Sequence, residues 1–500
     1  MQQKFLRNFF FGPTLAVWAA LLLTGCPAPK PSTVLVASES VRPFAGQSLK
    51  VVCPDSEISA ALGPIANAWA SKNGARVVFE AEGEGDIAVV RSMAFGEGCA
   101  RGEFSTLGKA VRSPTHPLQI FGQLDAYYEG LAGWQGQPHG VMLAVDAAVV
   151  LYRKDRFNDP SVRAAFKTRK SRDLTPPNTW DEYTEVASFF TKLDGRPAIP
   201  AFPRDPARRL DLFHRIAATM DRPAITPSNM AGRTDKDLAA DAFSFHFDFK
   251  TGRPRLTSPG FTLAADILKQ QTPFRGEGDG DPIVAIQSGK AVLAIATMSD
   301  LARLSKGPDG AVPQTIAVAR LPGSRRYADA LTGQVESVRG SDANIVPYLS
   351  GGWIGAVRTR TTRIDAANDL LGHFGGPEGA GAIISRPAIG SGPWRADLLD
   401  ANKKNLWFAY GFGPDQTQAL MTALRPYIAS DLRNPAVAPR GPGIEKLMGV
   451  LAERVADAAE GRLEPAVAIK QAQDAWILLE ATAGSPEQVL SWRRGDMRAK

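Results

Sequence analysis

Cysteine and histidine are scarce, with three and five copies among 500 residues. His116, His139, His214, His246 and His373 are too dispersed to suggest a metal-ligand set, and no His-Glu-x-x-His occurs. No Gly-x-Gly-x-x-Gly follows a strand-like segment and no Gly-x-Ser-x-Gly elbow is present. Gly289-Lys290 is not a phosphate loop, because Val284 stands where the first glycine belongs and Ala291 where a metal-binding hydroxyl is needed. The acidic run Gly276-Glu277-Gly278-Asp279-Gly280-Asp281 lacks full calcium-loop spacing and reads as a solvated turn. Catalytic residues, a metal and a cofactor are therefore not expected. Paired carboxylates of a glycoside hydrolase stay open, since their separation is a property of the fold.

The chain also lacks any long run of one charge. Lys+Arg total 58 against 51 Asp+Glu, a net +7 spread along the sequence, with nothing that would track a phosphate backbone, so no nucleic-acid partner is expected. A mean hydropathy of −0.14 and a single apolar stretch of note exclude a multi-span membrane protein. The 47 glycines and 37 prolines show no Gly-X-Y period and no internal repeat. What remains is a globular chain, 44% hydrophobic, able to bury a large core divided between two lobes.

The apolar stretch is the first positive feature. Lys4 and Arg7 precede the segment from Phe9 to Leu23, which ends in Leu23-Thr24-Gly25-Cys26 and gives way to Pro27, Pro29 and Pro31. This reads as an export signal, and its end resembles the lipobox of bacterial lipoproteins. That resemblance implies cleavage after residue 25, acylation of Cys26, a lipidated tether over residues 26–47 and a membrane anchor facing the periplasm or cell exterior. Two or more acyl chains suffice for stable anchoring, whereas one binds marginally. Cys53 and Cys99 remain, and in an exported chain both a disulfide between them and two buried free thiols are consistent with the count.

Leu49 to Cys53 reads as a strand stopped by Pro54-Asp55-Ser56, followed by a helix carrying Ile58, Leu62, Ile65 and Trp69. Strands at Arg76–Glu80 and Asp86–Val90 complete a strand–helix–strand order that predicts an α/β fold with a parallel sheet. Ligands of such sheets sit at the carboxyl ends of the strands, which puts Asp55, Ser56 and the loop from Glu80 to Gly85 near a site. From Val141 to Leu151 the chain is almost uncharged and only Asp146 interrupts it. A lone carboxylate there needs either a structural partner or a ligand. Pro177-Asn178-Thr179-Trp180-Asp181-Glu182 is a capped helix start with Trp180 in the core. Phe243, Phe245, Phe247 and Phe249 alternate with polar residues as a strand would, residues 324–350 read as a long loop, and the last 120 or so residues read as mainly helical.

Several separated segments together resemble the extracellular solute-binding proteins of ABC transporters, in the sugar-binding group that includes maltose-binding protein. They are the lipobox, Val145-Asp146 running into Leu151-Tyr152-Arg153-Lys154-Asp155-Arg156-Phe157, the Pro177–Glu182 helix start, Ser258-Pro259-Gly260, Ser288-Gly289-Lys290-Ala291, and Gly351-Gly352-Trp353 ahead of the helix from Ile364 to Leu371. The resemblance implies a type II, two-lobed periplasmic-binding-protein-like α/β fold with a ligand cleft. Lobe 1 is expected over 48–145 plus 318–376, lobe 2 over 146–317 plus 377–485, and a basic tail over 486–500, with crossings near Ala144–Ala148, near Ile316–Leu321 and after about Gly376. It implies capture of a small solute, a carbohydrate first, and delivery to an ABC permease. The ligand-binding expectations are Asp55, Ser56, Trp134, Asp146, Trp353 and Trp394, with Tyr127, Tyr128 and Tyr410 as further aromatic candidates. Thr297-Met298-Ser299 departs from the group by lacking the aromatic platform found there in many members. The alternatives are a secreted carbohydrate-active hydrolase and a lipoprotein scaffold of an envelope complex.

Because Cys26 is the sole thiol at the processing site, Cys26→Ser is expected to leave an unprocessed, unacylated precursor. Metabolic labelling with a fatty-acid probe and membrane partitioning check this. A variant that still matures and partitions normally removes the lipoprotein reading.

Overall fold

The structure is a computed structural model that describes residues 42–108, 123, 126–226, 245–248, 251–304, 306–329, 333–338, 342–429, 432, 434–484 and 489–492. The export segment, Cys26, the tether as far as residue 41, and all of the basic tail except 489–492 lie outside the described residues. Among those described, no helix is long and apolar enough to cross a membrane.

The chain opens with β1 (Ser48–Val52), α1 (Ser56–Asn73), β2 (Arg76–Glu80), β3 (Ile87–Arg91), α2 (Ser92–Ala100) and β4 (Gly140–Val145). It passes into β5 (Ala148–Arg153), then α3 (Trp180–Asp194), α4 (Pro206–Met220), α5 (Pro259–Gln271), β6 (Leu293–Thr297) and β7 (Ile316–Ala319). β8 (Gly352–Val357), α6 (Ile364–Gly375), α7 (Pro377–Ile384), α8 (Pro414–Leu424), α9 (Ile444–Ala459) and α10 (Pro465–Ala483) follow.

Two sheets organise these elements. The first has the order β2-β1-β3-β8-β4, the second β6-β5-β7. The expected parallel pairing holds for β2-β1-β3, while β8 enters antiparallel between β3 and β4, and the second sheet is antiparallel throughout. α1, α6 and α7 form one helical layer against the first sheet, so that layer continues beyond Gly376. α8 packs on β5 and β7 of the second sheet. α4, α5, α9 and α10 pack on one another around Phe213, Phe261, Leu451 and Trp476.

The uncharged run in β5 now has its reason. Val149 and Leu151 face one core and Val150 another, so both faces of the strand are buried and no polar alternation is needed. Helix starts follow their capping residues: the Asp55, Thr179 and Asp205 side chains accept from backbone N–H groups in the first turns of α1, α3 and α4. Trp180 is buried, as expected.

One expectation falls partly outside the described residues, one changes, and one open alternative is settled. Phe245 and Phe247 are buried, and among the described residues Phe247 makes an isolated bridge to Pro254, while Phe243 and Phe249 lie outside the described residues. The 324–350 segment contains a short antiparallel pairing of Arg326–Ala328 with Val335–Ser337. Cys53 and Cys99 are not bridged. The Cys53 Sγ donates to the Asp55 carbonyl at 3.3 Å before α1, whereas Cys99 sits in the last turn of α2, where burial pushes its thiol up to about 12.

One buried pair makes the second core sensitive to acid. His214 on α4 and His246 share an Nε2···Nε2 hydrogen bond of 3.0 Å, enclosed by Phe213, Phe245, Phe261, Tyr348 and Trp476. Burial, with the neighbouring Arg215 charge adding to it, lowers the His214 pKa to about 3. The unfolded chain therefore binds a proton below about 6.5 that the folded chain refuses until about 3, so stability falls as pH drops through that window. The slope from this one group approaches about 1.4 kcal/mol per pH unit. Denaturant melts between pH 6.5 and 5 are expected to show a steeper loss for the wild type than for His214→Gln.

Candidate functional site

The strand ends of the first sheet build the site. β3 ends at Arg91, β4 ends at Val145, and β8 begins at Gly352, all at the same edge. Trp353 lies opposite Arg91 in the β8–β3 ladder, so the two side chains share a face. The Arg91 guanidinium carbon stands 4.3 Å from the centre of the indole. Gly351 and Gly352 allow this approach. Both have positive φ, +126° and +148°, and a Cβ on Gly352 would lie 2.0 Å from the Ala144 carbonyl oxygen. One on Gly351 would lie 2.1 Å from Ser92 Oγ.

Asp146 sits at the same edge, in the step between β4 and β5. Its backbone N–H donates to the Gly351 carbonyl at 3.1 Å, and its carboxylate lies 3.6 Å from Arg91 Nη1. Neither the Asp146 carboxylate nor the Arg91 guanidinium makes a hydrogen bond among the described residues, and their side chains are 46% and 55% exposed. Loss of solvent raises the Asp146 pKa, Asp211 raises it further, and Arg91 and Arg215 oppose the shift. The Asp146 carboxyl is thus partly desolvated while water still reaches nearly half of its side chain.

Behind Asp146 the polar groups are fully engaged. Arg215 on α4 is buried and donates to Asp211 at 2.7 Å, to the Tyr427 hydroxyl and, at 3.5 Å, to Ser350 Oγ. Tyr427 Oη in turn accepts from the Ala148 N–H at 3.1 Å and donates to the Ala148 carbonyl at 3.3 Å. Val145 N–H donates to Ser391 Oγ at 3.0 Å, and Gly392 N–H donates to the Val145 carbonyl at 2.8 Å. Segments 350–352 and 390–392 are thus each hydrogen-bonded to 145–148, where the chain passes between the sheets. Met298 N–H donates to the Ala147 carbonyl at 2.9 Å and joins the second sheet to this point.

Of the residues expected at a site, the structure brings together Asp146 and Trp353. Asp55 and Ser56 lie at the end of β1, but the Asp55 carboxylate is occupied in capping α1. Trp134 is buried in a short hairpin, its ring 3.4 Å from the Cβ position of Gly441. Trp394 is fully enclosed, its indole N–H without an acceptor among the described residues. Tyr127 and Tyr410 are buried, donating to the carbonyls of Tyr427 and Ser391, and the side chain of Tyr128 lies outside the described residues. Thr297 is used in the capping box of a short helix that starts at Met298, so no platform stands there.

Arg91, Asp211, Arg215, Ser350 and Tyr427 were not anticipated. The available signals were a charge closing an apolar strand at Arg91 and an Asp–Arg pair four residues apart entering the apolar run of α4. The groove of about 620 Å³ at the opposite edge of the first sheet is a different feature, because its charges are paired: Arg363 with Asp86 at 3.3 Å and Arg360 with Glu84 at 3.2 Å. No group of three or more metal-ligating side chains occurs among the described residues.

No protein-family model matches the chain, and a comparison with curated proteins finds no match. Solved structures do match. The sugar-binding protein MalE from Xanthomonas citri aligns with a TM-score of 0.61 at 14% identity, covering 87% of this chain and 98% of that one. The GacH receptor of Streptomyces glaucescens, solved unliganded and with acarbose, gives 0.57 at 13% identity over 87% and 98%. The ABC transporter associated binding protein from B. animalis subsp. lactis, solved with beta-1,6-galactobiose, gives 0.53 at 15% over 87% and 98%. The fold is therefore the two-lobed, type II periplasmic-binding-protein fold.

The junction generates its own test. Tyr427→Phe leaves the buried Ala148 N–H and one Arg215 N–H without an acceptor, at about 1–3 kcal/mol for each orphaned group. Urea unfolding is expected to show a lower midpoint with an unchanged slope.

Proposed function

We infer that this chain is a solute-binding protein that takes a carbohydrate between its two halves outside the cytoplasm, without catalysing a reaction, and delivers it to an ABC permease. The observation that carries the reading is the placement of Arg91 and Asp146, both free of hydrogen bonds among the described residues, beside Trp353 at the point where the chain crosses between the sheets. Saccharides offer hydroxyl rims that planar carboxylate and guanidinium groups match. Ligand contact with groups on both sides of a crossing favours the closed form, and a transporter then distinguishes loaded from empty protein.

The matched proteins named above bind sugars or oligosaccharides, which supports a carbohydrate here. Lipid attachment at Cys26 would hold the protein at the membrane outside the cytoplasm, near its permease. The hydrolase alternative needs two carboxyl groups working across a bond. Asp211 is the acid nearest in kind to serve beside Asp146, and its carboxylate is committed to Arg215.

A thermal-shift screen with mono- and oligosaccharides tests the function, since a ligand bound only by the native state raises the melting temperature. At least one saccharide is expected to do so. For that saccharide, Asp146→Asn is expected to weaken binding by about tenfold or more, the scale of a hydrogen bond to a charged group. A screen in which no saccharide shifts the melt removes the carbohydrate reading.

A further inference from the structure

The geometry points to an acidic sugar as the solute: a saccharide whose carboxylate is held by the guanidinium of Arg91. The inference rests on the solute-binding reading above and narrows the class of ligand.

The two arginines near the junction differ in what they have left to give. Arg215 is buried and its donors are directed to Asp211, Tyr427 and Ser350. Arg91 closes β3 with its side chain 55% exposed, and makes no hydrogen bond among the described residues. Its nearest carboxylate oxygen, on Asp146, is 3.6 Å away, beyond hydrogen-bonding distance. Arg91 is thus in ion-pair range of Asp146 through Nη1 yet its N–H donors have no hydrogen-bond acceptor among the described residues, and they lie in a fixed plane, the arrangement that matches a carboxylate through two parallel bonds.

That plane is held in place. The guanidinium lies over the Trp353 ring at 4.3 Å, and the ring itself is only 9% exposed. Cation–π contact orients the fork and also covers the indole face, so a neutral sugar ring meets Arg91 before it can stack on Trp353. The second observation comes from α2, which begins at Ser92, the next residue. This nine-residue helix has no acidic residue in its first turn and no side-chain cap, so its partial positive end remains uncompensated beside Arg91.

The charged groups around the position are Asp146, and behind it the Asp211–Arg215 pair, which largely cancels. Asp146, in ion-pair range of Arg91 at 3.6 Å, repels an incoming anion. A monoanionic carboxylate meets less of that repulsion than a phosphate dianion, which favours a uronic acid over a sugar phosphate. Asp146 can also accept a hydroxyl of the same sugar.

The experiment is calorimetric titration of the full chain with D-glucuronate and D-galacturonate and with their neutral parents, D-glucose and D-galactose, repeated on Arg91→Gln and Arg91→Lys. At least one acid is expected to bind about tenfold or more tightly than its parent, with a preference that weakens as salt is raised. Arg91→Gln is expected to bring the acid-to-neutral ratio close to one. Arg91→Lys keeps the charge without the fork and is expected to retain part of the preference, so the inference is still tested if the glutamine variant fails to fold. Neutral sugars binding as tightly as the acids, or a ratio unchanged in both variants, overturns the inference and leaves the carbohydrate reading in place. Failure of every sugar, acidic and neutral, to bind overturns both.

Discussion

A guanidinium buried at the junction of two sheets sets conditions on everything around it. Arg215 has almost no contact with water, and a buried cation deprived of its partners would cost several kcal/mol. Asp211, Tyr427 and Ser350 meet that requirement from three separate stretches of chain. Tyr427 carries the constraint onward to both backbone groups of Ala148, where β5 begins. The position of α4, the turn after α8 and the step from β4 to β5 are therefore set together. A change at any one of them would be felt at the other two.

The same step also carries a partly exposed acid. Asp146 is one residue past β4 and two before β5, with its backbone tied to Gly351 and its carboxylate left open. The fold thus separates two kinds of polar group within a few residues: those saturated by protein, which hold the crossing, and those without a hydrogen bond among the described residues, which are partly exposed. Arg215 and Arg91 are the same residue type in these opposite roles. What distinguishes them is the number of acceptors within reach, set by the elements packed around each.

Much of the fold was legible from the chain. Alternation and capping residues marked β1, α1 and α3, and the cost of a lone acid in an apolar run singled out Asp146. The paired glycines before Trp353 signalled a close backbone approach, and the structure shows one. Arg91 was not legible, because a basic residue at a strand end is commonplace. Its role depends on the register that places it opposite Trp353, more than 260 residues later in the sequence. Trp134, Trp394 and Tyr410 show the converse limit: an aromatic side chain suits a core and a sugar site equally well, and only the packing of distant elements decides which it meets. The thiols follow the same logic, since a count of two says nothing about whether β1 and α2 bring them together.

The two edges of the first sheet differ in how their charges are used. At the amino edge of β1 and β3, Arg358, Arg360 and Arg363 face Glu103, Glu84 and Asp86, and the charges pair across the groove. At the carboxyl edge the helices α1 and α2 begin, and their free N–H groups compete for whatever acid is near. Asp55 is consumed by α1 in this way, while α2 has no acid in its first turn. Arg91 therefore stands beside a helix start with no acid in its first turn, in ion-pair range of Asp146 at 3.6 Å but without a hydrogen bond to it. Strand direction placed the helix starts at this edge, and at the start of α2 the Arg91 donors have no hydrogen-bond acceptor among the described residues.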